Sequence, residues 1–155
     1  MIFVTLGTQA YPFDRLLRGL EGVHEELVVQ GGPSTFRPEG ATWFDYLEYP
    51  ALLEHVRRAR VVVSHAGVGT VMTVVAEGKR PVVVPRLHRY GEAVDDHQLP
   101  IARRLAAVGL VTLVEDPAQL AAALVETPPA PASLGGGGGI VADLRAYLLE
   151  VAQAP

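Results

Sequence analysis

Residues 61–84 read VVVSHAGVGTVMTVVAEGKRPVVV. The stretch opens on Val61 to Ser64 and closes on Val82 to Val84, two valine-rich runs without a charge. Runs of that kind suit strands buried on both faces. Between them Val71, Val74 and Val75 recur at helical spacing. Gly78, followed by Pro81, stops that helix, because glycine accepts a left-handed C-terminal turn and proline cannot continue a helix. Strand, glycine-containing loop, helix and strand in this order form the unit of a parallel sheet.

The alternation extends in both directions. Ile2 to Leu6, Leu27 to Gln30 and Leu110 to Val114 read as further buried strands. Phe13, Leu16, Leu17 and Leu20 repeat at helical spacing, as do Leu52, Leu53 and Val56, and then Ile101, Leu105 and Val108. The pattern predicts an α/β fold with a Rossmann-like, doubly wound parallel sheet. Pro12 and Pro50 suit first-turn positions, Asp116 before Pro117 suits an N-cap followed by a first-turn proline, and Gly109 ends the helix after Val108. Pro100 is tolerated only within a first turn, so its helix should begin near Asp96, with Asp96 as the cap and His97 and Gln98 just inside.

With 155 residues, the chain is expected to form one domain at residues 1–126, followed by a Pro/Gly-rich linker at 127–139 and an amphipathic helix at 140–155. The apolar stripe of that helix, Ile140, Val141, Leu144, Leu148 and Val151, would dock on the domain or on a partner. Hydrophobic residues at 49% against 19% charged exclude the composition of a disordered chain. Thirteen Lys and Arg against 17 Asp and Glu, a net charge of −4, argue against nucleic-acid binding. The absence of cysteine removes disulfides and thiolate metal sites, and the five histidines show no H-x-x-x-H spacing, so no metal site is expected. No apolar run approaches the ~20 residues of a membrane span, and Met1 leads straight into IFVTL, so a soluble cytoplasmic protein is expected.

Ligands of open parallel sheets bind outside the C-terminal ends of the strands. Three loops stand there: Leu6-Gly7-Thr8; Ser64 to Thr70; and Pro85 through Arg86, Tyr90, Gly91 and Glu92 to Asp95-Asp96-His97-Gln98. In the second loop Gly67 and Gly69 allow close backbone approach, and the helix that follows offers unpaired N–H groups to an anion. The spacing is not the Rossmann G-x-G-x-x-G, because Met72 holds the third position, and a glycine-rich turn without a ligand fits equally well. Asp96 reads either as a plain cap or as a ligand contact, and His97 either as solvent-facing or as a contact. Convergence of the three loops on one sheet edge favours a small-molecule cleft. His24 and His55 read as bland surface or loop residues.

The segments VTLGTQAYPFDRLL (4–17), YLEYPALLEHVRRARVVVSHAGVGTVMTVVAEGKRPVVVPR (46–86) and RYGEAVDDHQ (89–98) resemble the C-terminal domain of glycosyltransferase family 28, the sugar-nucleotide half of a GT-B enzyme. The match runs from Met1 to about Leu113 and is weak from Pro117 onward. The chain is similar to stand-alone versions that serve as catalytic subunits in dolichol-linked N-acetylglucosaminyl transfer and in bacterial exopolysaccharide synthesis.

That resemblance implies a UDP-sugar pocket. Gly7 and Thr8 would face the diphosphate, the loop of His65, Ala66, Gly67, Val68, Gly69 and Thr70 the α-phosphate, the loop around Tyr49 the uracil, and His97 and Gln98 beside Asp96 the hexose hydroxyls. Gln30 and Gly31 would line the same cleft. Thr73 departs from the pattern, since relatives commonly carry a glutamate there that takes the ribose hydroxyls; Glu77, one turn on, is the nearest substitute. The reaction implied is an inverting, metal-independent hexosyl transfer without a cofactor. The acceptor would be a lipid-linked glycan, held by a membrane-anchored acceptor-binding subunit that keeps the chain at the inner membrane face. No residue is assignable as general base; His65, with an ordinary pKa of ~6.5, is the local candidate, and a loop-structuring histidine is its alternative. The rival reading is a non-catalytic nucleotide-sugar-binding or regulatory module. A flavodoxin-like signalling domain fits poorly, because the opening strand lacks an acidic cluster and the loops lack an aromatic flavin sandwich.

Overall fold

In the computed structural model, which describes residues 1–127, the valine-rich runs pair edge to edge. The strands are β1 (Ile2–Thr5), β2 (Leu27–Gln30), β3 (Thr42–Phe44), β4 (Val61–His65), β5 (Val82–Val84) and β6 (Thr112–Leu113). The helices are α1 (Asp14–Arg18), α2 (Tyr49–Arg58), α3 (Val68–Ala76), α4 (Gln98–Ala107) and α5 (Leu120–Glu126). All pairings are parallel, and the sheet order is β3-β2-β1-β4-β5-β6. That order reverses between β1 and β4, where Thr5 lies beside Ser64, and the reversal opens a crevice at the C-terminal strand ends.

Side-chain alternation divides the core into two layers. Ile2 and Val4, Val61 and Val63, and Val82 and Val84 face α1 and α5, meeting Phe13, Leu16, Leu17, Leu120 and Leu124. Phe3, Val28 and Val62 face the other way with Val56 and Val74, and Val83 meets Val71, Ile101 and Leu105. Each central strand is covered on both faces, which is why its sequence carries no polar alternation. Among the described residues no helix is long and apolar enough to cross a membrane.

Several boundaries differ from the sequence-based expectation. The edge strand β3 has no counterpart in that expectation: Thr-Trp-Phe is short and half-exposed, too brief to show a period. The run Leu110 to Val114 contributes only Thr112–Leu113 to the ladder. Pro12 precedes α1 instead of sitting in its first turn, whereas Pro50 does occupy the first turn of α2. Asp96 does not cap α4. The helix starts at Gln98, Asp95 Oδ1 accepts the His97 N–H at 2.9 Å, and Asp96 Oδ1 accepts the His88 N–H at 2.8 Å, folding the loop back on itself. Pro100 is still within the first turn.

Asp116 behaves as expected, its Oδ1 accepting the Ala118 N–H at 3.0 Å, although a short 3-10 turn precedes α5. Gly78 and Gly109 take φ of +76° and +78° at the two helix ends where the sequence places stops. The expected linker beyond Thr127 and the expected terminal helix at 140–155 lie outside the described residues.

Candidate functional site

The crevice between β1 and β4 continues into a cleft of about 420 Å³. Gln9 and Tyr11 enter it from the loop after β1, Ala66, Gly67 and Val68 from the loop after β4, and Val94, Asp95, His97 and Gln98 from the loop after β5. The cleft thus draws on the segments that follow β1, β4 and β5, although Leu6, Gly7, Thr8, Gly69 and Thr70 are not among its lining residues. A larger recess of about 670 Å³, between Arg15 and Arg18 of α1 and the Tyr90 and Asp116 loops, has no lining residue in common with it.

Helix α3 starts at the cleft without a cap. Gly67, in the N-cap position, is extended (φ −73°, ψ 126°) and has no side chain with which to cap the helix, and among the described residues no side chain accepts from the first N–H groups. The first N–H groups of a helix have no acceptor within it, so those of Val68, Gly69 and Thr70 are open to a ligand and carry the positive end of the helix dipole. A Cβ added to Gly69 would meet nothing within 4 Å. The helix has nine residues, long enough for the dipole to matter.

Gly7 and Gly67 have a packing reason that their sequence context does not show. A Cβ on Gly67 would lie 2.7 Å from His65 Nε2 and 2.9 Å from Nδ1, and closer still to Cε1. A Cβ on Gly7 would crowd the same ring, 3.0 Å from Cε1, and Gly7 also holds φ at +77°. The imidazole thus fills the space between the two loops, and both glycines are required by it before any ligand arrives.

His65 is buried and hydrogen-bonded at both ring nitrogens. Gln98 Nε2 is 3.1 Å from His65 Nδ1, and Thr70 Oγ1 is 3.4 Å from Nε2. Burial, reinforced by the Arg86 charge and opposed by the Gln98 bond, pushes the imidazole pKa down to about 3. The ring is neutral at physiological pH. Gln98 also accepts two backbone N–H bonds through Oε1, from Ala66 at 3.2 Å and Arg86 at 3.0 Å. One side-chain amide therefore ties the loop after β4 to the loop after β5.

Sequence reasoning missed the weight of Arg86. Its side chain is only 1% exposed, and among the described residues no carboxylate lies within ion-pair distance of it. Its guanidinium donates to the carbonyls of Leu6 at 2.6 Å, Tyr11 at 2.9 Å and Glu92 at 3.0 Å, and lies 4.7 Å above the Phe13 ring. Nε has no partner among the described residues. Burial lowers its pKa to about 10 against the opposing field of Glu92, so the group stays charged. The buried Glu92 is itself held by Arg15, at 2.7 and 2.9 Å, and by the Leu87 N–H at 2.9 Å. An arginine after a buried strand is legible from sequence as a loop residue; its burial by chain segments some 75 to 80 positions away is not.

The remaining site candidates separate into exposed and buried groups. Thr8, Asp96 and His97 are exposed at the strand ends. Gln30 is buried, accepting from Thr5 Oγ1 at 2.6 Å and donating to the Gly7 carbonyl at 3.3 Å, so it steadies the first loop from beneath. Gly31 lies under the Trp43 ring, where a Cβ would come within 2.8 Å of Cζ3. Tyr49 is the first residue of α2, 62% exposed, and is not part of the cleft wall. Thr73 Oγ1 donates to the Gly69 carbonyl at 2.9 Å, and Glu77 holds Arg57 with two bonds, at 2.7 and 3.1 Å, so the Glu77 carboxylate is already engaged. Among the described residues no group of three His, Cys, Asp or Glu could hold a metal ion.

Comparison with known proteins gives the fold a lineage. The chain is 31% identical over 123 residues to the UDP-N-acetylglucosamine transferase subunit ALG13 of Homo sapiens, covering 70% of this chain and 10% of that protein. It is 39% identical over 64 residues to the subunit of the same name from Yarrowia lipolytica, covering 41% of this chain and 30% of that one. The chain thus spans between a tenth and a third of the length of these relatives. Its fold is shared with CalG4, the calicheamicin glycosyltransferase (TM-score 0.58, 20% identity, 99% of this chain and 44% of that one), and with MurG of Acinetobacter baumannii (0.53, 22%, 79% and 41%). Residues 1–133 match the glycosyltransferase family 28 C-terminal domain, and the chain belongs to that family.

Proposed function

We propose that this chain is the donor-binding, catalytic subunit of an inverting, metal-independent transferase. It would move a hexose from a UDP-sugar to a polyprenyl-diphosphate-linked glycan. The observation that carries the proposal is the uncapped start of α3, with Gly69 bordered by open space at the β1/β4 switch point. Fixed N–H donors and a helix dipole stabilise the charge that develops on a departing diphosphate without a bound cation. Thr8 and Gly7 would close on the diphosphate from the opposite strand, and His97 and Asp95 would face the hexose from the cleft wall.

His65 is a poor general base, being buried and held neutral with a pKa of about 3. The base would then come from the acceptor half. A GT-B enzyme closes two such domains over its cleft, and the described residues form one. The relative's designation as a subunit supports a partner-dependent activity. We take that partner to be a membrane-anchored acceptor-binding chain, which would hold this one at the cytoplasmic face.

The test is direct. UDP and UDP-sugars, at 100 times their dissociation constant, should stabilise the fold by ~2.7 kcal/mol, and label should pass from a UDP-sugar to lipid only when the acceptor subunit is added. Stabilisation by FMN and not by UDP would end the proposal. A second reading, a nucleotide-sugar-binding module without turnover, is favoured by one observation: the position of Thr73 offers no free carboxylate to a ribose. UDP binding with no transfer in any reconstituted pair would select it.

A further inference from the structure

We propose that Gln98, through His65, orients the hydroxyl proton of Thr70 outward, so that a side-chain donor joins the backbone N–H groups at the start of α3; the inference rests on the donor-site reading above. Gln98 is then a positioning residue acting across two hydrogen bonds, in place of a direct sugar ligand.

The orientation follows from donors that have no choice. The Ala66 and Arg86 main-chain N–H groups can only donate, and both point at the same Gln98 atom, at 3.2 and 3.0 Å. That atom is therefore the carbonyl oxygen, and the NH2 end faces His65 Nδ1 at 3.1 Å. Nδ1 must accept. The buried ring is neutral, so its one proton sits on Nε2. Nε2–H then donates to Thr70 Oγ1, 3.4 Å away, and the threonine hydrogen has to leave in another direction.

A threonine in a helix can return that hydrogen to a carbonyl of the preceding turn. Thr73, one turn later, does so, donating to the Gly69 carbonyl at 2.9 Å. Thr70 makes no such bond among the described residues, and it is the residue whose own N–H is among the open ones. Its hydroxyl is thus left as a donor beside three amide donors, a set suited to a phosphate oxygen. Reversing the Gln98 amide would reverse the chain: Nδ1 would carry the proton, Nε2 would accept from Thr70, and the hydroxyl would turn inward.

The experiment has two arms. Nitrogen-15 NMR of the ligand-free protein at pH 8 reads the His65 tautomer; Nε2–H is expected, and Nδ1–H overturns the proposal whether or not UDP binds. Calorimetry with UDP then compares Thr70→Val in the wild-type and Gln98→Glu backgrounds. The carboxylate introduced by Gln98→Glu accepts from both backbone N–H groups and draws a proton onto Nδ1, which the same NMR measurement reports. Thr70→Val is expected to weaken UDP about tenfold in wild type and less than about twofold in the Gln98→Glu background, with Thr70→Ser restoring wild-type affinity. Equal losses in both backgrounds overturn the relay. If wild type itself fails to bind UDP, the donor reading falls while the tautomer measurement still decides the orientation.

Discussion

Three glycines in two loops should respond in opposite ways to the same methyl group. At Gly67 an added Cβ falls 2.7 and 2.9 Å from His65 ring atoms, where ordinary contacts begin near 3.4 Å, so ring or loop must shift by about an ångström. The ring is buried and bonded to Gln98 and Thr70, so a shift also weakens those bonds. Overpacking costs ~1–3 kcal/mol and a weakened buried hydrogen bond ~1 kcal/mol, for a total of about 2–4 kcal/mol. At ~2–4 °C per kcal/mol for a chain of this size, Gly67→Ala should lower Tm by roughly 5–15 °C. Gly7→Ala adds the left-handed backbone cost of ~1–2 kcal/mol and should be at least as severe. Gly69→Ala places a methyl in open space within a helix and should raise stability by ~0.5–1 kcal/mol while weakening UDP. Because the clash is with one ring, Gly67→Ala combined with His65→Ala should cost ~1 kcal/mol or more less than the sum of the two single changes. Thermal melts of these variants decide it. An additive pair, or a neutral Gly67→Ala, refutes the assignment of this glycine to the imidazole.

Arg86→Met strips donors from the Leu6, Tyr11 and Glu92 carbonyls and should cost about 3 kcal/mol or more in urea unfolding; a loss below ~1 kcal/mol contradicts the role given to that side chain. The His65 pKa of about 3 lies below the unfolded ~6.5, so the unfolded chain binds the proton first and stability falls with acid through that window. About 2 kcal/mol should be lost between about pH 7 and pH 5, a slope that urea midpoints should show missing in His65→Asn. Thr73→Glu should tighten UDP-sugar binding by roughly 3- to 10-fold through a charge-assisted bond to the ribose, and calorimetry showing equal or weaker binding counts against this placement of the ribose.

What the sequence disclosed follows the physics of each element. The central strands are readable because both faces are buried, leaving uninterrupted valine runs such as Val61 to Val63. The parallel sheet and the edge to which the loops converge then follow from alternation alone. The short edge strand Thr42–Phe44 leaves no periodic trace. The start of α4 is displaced from its expected place because Asp95 and Asp96 are equally good caps in sequence, and only the folded loop shows each bonded elsewhere. The site is legible as a set of loops and not as a network. Glycine in a loop signals close approach without naming what approaches, and for Gly7 and Gly67 the neighbour is His65. The roles of Gln98 and Arg86 depend on contacts across 12 to 80 residues, which no local pattern encodes.

The most direct test of the donor site is a UDP titration followed through backbone amide NMR. Binding at the open end of α3 should produce the largest shifts at Val68, Gly69 and Thr70, with smaller ones at Gly7, Thr8 and His97. Saturable binding that leaves those three amides unmoved, or that moves instead the Arg15, Arg18 and Tyr90 recess, would contradict it.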